Sequence, residues 1–235
     1  MKMKKYPLNK VEYYSTFREM IEALPKGRED KPGISWFTRK GEEQGVTIGK
    51  LRDDVRGLAA YFVKTGLAGK HIGILGENSY EWILVYFAAT YCGSVAVCVD
   101  IEQPDDTIAQ MLEMADVSAI FCIDSVRDIC ANFAGDKIRL TALTRDSLDA
   151  LIKEGAGFDE FPEVNGDMTA AIVFTSGTMN YSKPVMLAQS AILTNASDAL
   201  ANVAIGERAF TSLPFYHTYG LTCSVLSMLI GKAHL

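Results

Sequence analysis

Nine consecutive residues carry the densest chemistry in this sequence: Thr175, Ser176, Gly177, Thr178, Met179, Asn180, Tyr181, Ser182 and Lys183. They supply four Ser and Thr hydroxyls, a glycine, an asparagine and a terminal ammonium group. Backbone amides and hydroxyls donate to phosphate oxygens, and lysine adds a compact positive charge. Gly177 lets a backbone approach a ligand closely, and Asn180 is one of the few other residue types that tolerate positive φ. Composition alone favours a solvated turn; a phosphate cradle is the alternative. The segment is not a Walker A loop, because Lys183 lacks a preceding glycine and is followed by Pro184. No G-x-G-x-x-G or G-x-S-x-G pattern occurs in the chain, so a dinucleotide-binding turn and a hydrolase elbow have no motif support. A second group lies at 213–221, where His217 has Tyr216 and Tyr219 as neighbours. That histidine reads either as part of a reacting site or as a hydrogen-bonded core residue.

A frame must hold these groups. Helices are expected at 11–24, with Phe17, Ile21 and Leu24 on one face, and at 47–65 behind Thr47 as N-cap. In the second, Leu51, Val55, Leu58, Ala59, Phe62 and Val63 make one apolar stripe. Between them lie a short strand at 34–38 and a polar turn at 39–45. From residue 72 onward apolar runs alternate with helical patterns. Strands are expected at 72–75, 95–99, 119–123, 138–143, 170–174, 185–187 and 208–213. Helices are expected at 79–92, from Pro104, at 147–154, at 190–203 and after Gly220. This alternation predicts an α/β fold of mostly parallel sheets flanked by helices. Ligands of such sheets bind beyond the strand carboxyl ends, where the 175–183 segment falls. The Gly-, Pro- and acid-containing connection at 155–166 suggests a first α/β subdomain, 1–165, and the start of a second, 166–235, carrying the loop.

Composition narrows the classes. The chain has 235 residues, 49% hydrophobic and 22% charged, which is ordinary globular usage. Its charge is 23 − 29 = −6, with a pI near 5.2, so the basic footprint of a nucleic-acid binder is missing. Five widely spaced cysteines without a C-x-x-C pair argue against a zinc site or a disulfide framework and for a reducing, cytoplasmic setting. Residues 82–99 are uncharged, but Gly93 and Ser94 break the run into a buried helix and a buried strand, and no transmembrane segment is expected.

Both chemical blocks resemble the adenylate-forming superfamily: acyl-CoA synthetases, nonribosomal-peptide adenylation domains and luciferases. The family's phosphate loop reads Thr-Ser-Gly-Thr-Thr-Gly-x-Pro-Lys-Gly, which Thr175, Ser176, Gly177, Thr178 and Lys183 match. Residues 213–221 resemble its Leu-Pro-x-x-His-x-x-Gly segment, and 78–100 resembles the long-chain fatty acid branch. Asn180, Ser182 and Pro184 stand where the family has Gly, Pro and Gly; Pro184 removes one backbone N–H beside the lysine. The resemblance implies ATP-dependent activation of a carboxylic acid, a fatty acid by this likeness, to an acyl-adenylate and then a CoA thioester. It implies ATP, Mg²⁺ and CoA as cofactors, with Lys183 and His217 catalytic. Thr175, Ser176, Gly177, Thr178, Asn180, Ser182 and Lys183 would bind the nucleotide, and Thr178 the metal. The family's adenine-binding part and C-terminal domain are not found before Leu235, so the chain reads as an N-terminal portion, inactive alone. Alternatives are an adenylation domain charging a carrier protein and a non-catalytic relative that binds a nucleotide or a partner.

Overall fold

The first regular elements are helix α1 (Phe17–Ala23) and a hairpin of β1 (Pro32–Phe37) and β2 (Glu43–Thr47), seen in a computed structural model that describes residues 7–38, 40–175 and 183–235. Helix α1 begins at a capping box, in which the Thr16 hydroxyl accepts from the Glu19 amide and the Glu19 carboxylate accepts from the Thr16 amide. Strand β2 takes up the last three residues of the polar turn expected at 39–45. Its Glu43, Gln44 and Gly45 show no apolar alternation, and they form a strand because they pair antiparallel with Phe37, Trp36 and Ser35. Helix α2 (Ile48–Lys64) follows at once, N-capped by Thr47 as expected.

The next elements are β3 (His71–Leu75), α3 (Tyr80–Tyr91), β4 (Val95–Cys98), α4 (Asp105–Met114), β5 (Ala119–Cys122), α5 (Arg127–Ala134), β6 (Arg139–Ala142) and α6 (Arg145–Gly155). Then come β7 (Thr169–Thr175), β8 (Lys183–Ala188) and α7 (Gln189–Asn202). Helix α5 was not anticipated; only Cys130 and Ala134 of its eight residues are buried, too few to show a period. Six strands form one sheet in the order β6-β5-β3-β4-β7-β8. All neighbours are parallel except β7 and β8. The chain between those two is far shorter than the dozen or so residues a parallel crossover needs, so β8 must return antiparallel. The strand expected at 208–213 is reduced to one parallel bridge, Arg208 to His234. Pro214 follows directly, and among the described residues the only partner backbone is the short stretch around His234. The helix expected after Gly220 exists but starts as π-helical turns at Gly220–Leu226.

Helix α3 is the core. Every residue except Glu81 is buried, so it has no face for water. At 1.5 Å per residue it is about 18 Å long, well short of a bilayer's hydrocarbon thickness. No helix among the described residues is long and apolar enough to cross a membrane. Phe17 of α1 meets Tyr86 edge-on at 5.5 Å, and Phe215 lies 5.8 Å from Trp82. Gln189, fully buried, joins three helices: its Oε1 accepts from the Phe17 amide at 2.9 Å and its Nε2 donates to the Thr90 carbonyl at 3.0 Å.

One carboxylate fixes the start of α3. Asp54 of α2 is 1% exposed; it accepts from Tyr80 Oη at 2.9 Å, from Arg145 Nη2 at 3.1 Å and from Lys50. Arg145 also lies over the Tyr80 ring, which stacks on Trp36 at 5.5 Å. Burial, then the Asp54 charge, push the Tyr80 phenol far above its ordinary value. Helices α2 and α6 cross with backbones touching: a Cβ on Gly155 would sit 2.0 Å from the Gly57 carbonyl oxygen.

Two expectations follow. Asp54→Ala strands a buried phenol and a partly buried guanidinium and should lower the urea-unfolding free energy by about 3 kcal/mol, discounted from the buried-pair range because Arg145 still reaches solvent. Gly155→Ala should cost about 2 kcal/mol by forcing α6 off α2, read as a lower urea midpoint at unchanged slope.

Candidate functional site

The site is assembled at the carboxyl ends of β4 and β7. Strand β7 is apolar because both its faces are covered; Ala170, Ala171, Ile172 and Val173 are buried, and Thr175 is where the strand emerges into solvent. Thr175 pairs with Lys183 across the β7–β8 ladder. Paired residues of an antiparallel ladder share one face, so Thr175 and Lys183, the two ends of the loop, lie on the same face. Lys183 is exposed and forms no ion pair among the described residues. Ser176, Gly177, Thr178, Asn180 and Ser182 lie outside the described residues.

The neighbouring strand contributes a charge. Just past β4, Asp100 turns the chain by accepting from the Glu102 amide at 3.0 Å and from Gln103 Nε2 at 2.7 Å. Asp100, Gln103, Val173, Thr175, Tyr216 and His217 border a cavity of ≈ 460 Å³. Burial and the facing Asp100 carboxylate push the Tyr216 phenol up to about 12.

His217 reaches this cavity on a turn held from both sides. Its amide donates to the Pro214 carbonyl at 3.2 Å, and its own carbonyl accepts from Leu221 at 3.1 Å. Gly220 allows the turn to close, since a Cβ there would lie 2.2 Å from the Pro214 carbonyl oxygen. The Tyr219 amide donates to His217 Nδ1 at 3.3 Å, so the neutral ring carries its proton on Nε2. The imidazole is exposed, and among the described residues its Nε2 makes no hydrogen bond.

Of the residues singled out from the sequence, Thr175 and His217 therefore meet at one cavity, and Lys183 stands opposite Thr175. Asp100 and Gln103 were missed as site residues. The available signal was position: the first charged residue after a buried strand stands at a carboxyl end. A larger cavity, ≈ 520 Å³, lies between β1 and residues 208–215 and is lined by Ile34, Trp36, Tyr80, Phe210 and Phe215. At its rim Ser35 Oγ lies 2.6 Å from His234 Nε2, which superficially suggests a nucleophile with its base. Arg208 Nε donates to His234 Nδ1 at 3.2 Å, however, so the neutral ring must donate from Nε2 to Ser35 and cannot take the serine proton.

Residues 21–235 match the family model for AMP-binding enzymes. The chain belongs to that family. It is 27% identical over 193 residues to the D-alanine--D-alanyl carrier protein ligase of Streptococcus equi subsp. equi, covering 81% of this chain and 36% of that protein. It is 25% identical to the putative acyl-CoA synthetase YngI of Bacillus subtilis, covering 94% of this chain and 46% of that protein. The chain thus spans less than half the length of these relatives. Among solved structures, VinN superposes with a TM-score of 0.81 at 19% identity, over 95% of this chain and 59% of VinN. ATP-bound MatB from Rhodopseudomonas palustris superposes with a TM-score of 0.77 at 22% identity, over 93% of this chain and 44% of MatB. These likenesses establish the α/β fold, with its mostly parallel sheet, as that of the family's N-terminal region.

The tyrosine at the cavity gives a pH signature. A phenol raised in the folded state binds its proton more tightly there than in the unfolded chain, so stability falls as pH rises from about 10 towards 12. Tyr216→Phe should flatten that part of the profile in urea titrations, and Asp100→Asn should shift the Tyr216 share towards lower pH.

Proposed function

We propose that the protein of which this sequence forms part activates a carboxylic acid with ATP and passes the acyl group to a thiol. The observation that carries this reading is convergence: the strand pairing of Thr175 with Lys183 and the turn bearing His217 bring two distant sequence blocks to one cavity at the carboxyl end of β7. In this reaction a carboxylate oxygen attacks the α-phosphorus of ATP, the bond to the β-phosphate bridging oxygen breaks, and pyrophosphate leaves. The thiol sulfur then attacks the acyl carbon and AMP departs with the bonding electron pair.

The physical obstacle is repulsion between an anion and a polyanion. Lys183 supplies a point charge at the loop's end, the hydroxyls of Thr175, Ser176, Thr178 and Ser182 are assigned as its donors, and Gly177 and Asn180 are assigned with them to the nucleotide. His217, protonated on Nε2, donates to the acid's carboxylate and orients it. Mg²⁺ suits the oxygen donors at hand, the Thr175 hydroxyl and the Asp100 carboxylate, while the soft donor Cys98 is buried and its thiol pushed up by burial. Bound there, the ion would neutralise phosphate charge, and Thr178 is the hydroxyl assigned to it.

For the acid, the likeness of 78–100 to the long-chain branch and the relative named a putative acyl-CoA synthetase support a fatty acid and CoA. The relatives named D-alanine--D-alanyl carrier protein ligase support a second reading, in which the acceptor is a carrier protein's thiol. Acid-dependent ATP–pyrophosphate exchange by the full chain tests the first step, and supplying CoA or a phosphopantetheinylated carrier separates the acceptors. Lys183→Ala should lower the exchange rate by about 10²-fold, the scale of losing one electrostatic donor. Undiminished exchange in that variant removes the assignment, and no exchange with any acid removes the reading.

A further inference from the structure

We propose that Asn78 is a positioning residue for His217, a role that rests on the reading above. Asn78 lies in the turn between β3 and α3, 135 residues away in sequence from the segment it holds. Its Nδ2 donates to the Leu213 carbonyl at 2.7 Å, and its Oδ1 accepts from the Phe215 amide at 2.9 Å. One side-chain amide thus engages two alternate backbone groups of 213–215, as a neighbouring strand would. Both lengths lie within ordinary hydrogen-bond range.

The anchor itself is rigid. Ser79 caps α3 by accepting from the Trp82 amide at 3.1 Å, and Tyr80 is tied to Asp54. Phe215 is buried against Trp82, the first turn of the same helix. From Phe215 only Tyr216 intervenes before His217, whose amide is bonded back to Pro214. The position of the imidazole is therefore referred to α3 through Asn78, not to the β7 strand whose Thr175 it faces across the cavity. Among the other residue types only glutamine carries the same donor and acceptor, one methylene further from the backbone. Aspartate keeps the acceptor for Phe215 but sets a negative charge against the Leu213 carbonyl; alanine loses both bonds.

Two measurements test this. Amide hydrogen exchange on the 235-residue chain should be about tenfold faster at Phe215 in Asn78→Ala, less so in Asn78→Asp, with Trp82 unchanged as the control for global opening. Unchanged exchange at Phe215 overturns the clamp. In pyrophosphate exchange by the full chain, Asn78→Ala should raise KM for the acid or lower kcat by about tenfold in total while KM for ATP stays within twofold. Combined with His217→Ala it should add no further loss. Equal effects on both substrates, or additive losses in the double variant, overturn the positioning role even if the clamp exists. If the unsubstituted full chain shows no exchange with any acid, the functional reading fails and the positioning role fails with it, while the amide measurement still decides whether the clamp forms.

Discussion

Helix α3 has no polar side, and this constraint governs the rest of the chain. Buried at all but one position, it must be covered in every direction. The sheet takes one side through β3 and β4, α1 and α2 take others, and the 213–226 region closes the remainder with Phe215, Leu221 and Val225. Burying it costs nothing in backbone polarity along its length, because a helix satisfies its own amides. The two ends are different, and the polar core is concentrated there. Ser79, Asp54 and Arg145 serve the first turn; Gln189 and Arg18 serve the last, where Gln189 takes up the Thr90 carbonyl and Arg18 donates to the Tyr91 carbonyl at 2.8 and 3.0 Å.

The same geometry explains why the candidate site lies where it does. The turn that starts α3 stands at the carboxyl end of β3, next to β4 in the sheet, and β7 lies beyond β4. Three successive strands therefore deliver three different chemical contributions to one edge: Asn78 from β3, Asp100 from β4, and Thr175 with its paired Lys183 from β7. The His217 turn completes the wall from above, held to α3 by packing and hydrogen bonds. Charges are kept out of the sheet's interior and appear at its carboxyl rim, where water and a ligand can solvate them.

Much of this was legible in the sequence because burial on both faces leaves an unmistakable mark. The apolar runs at 72–75, 95–99, 119–123 and 170–174 became parallel strands, and the Thr47 cap and the α2 stripe were found where spacing put them. Two of the failures share a cause. Strand β2 is polar and α5 is eight residues with two buried, so each owes its form to a neighbour rather than to its own pattern. The isolated bridge at Arg208 failed for the opposite reason: its apolar residues suit a strand, but the backbone has little to pair with. At the site, Thr175, Lys183 and His217 were recognisable as motif residues, whereas Asn78 does its work through partners more than 100 residues away, which no local spacing reveals, and Asp100 was marked only by its place just after a buried strand.

The place of β7 has one further consequence. Strand β7 comes after the 156–168 connection yet inserts beside β4, pairing Ala171 and Ile172 with Ala96 and Val97. A chain divided in that connection would lose the strand that screens this side of β4. What remained would carry a bare ribbon of unsatisfied amides flanked by small apolar side chains, the kind of surface on which polypeptides stack into insoluble assemblies. The irregular 156–168 connection is thus a poor place to cut the chain, and each side must be made in the company of the other to stay in solution.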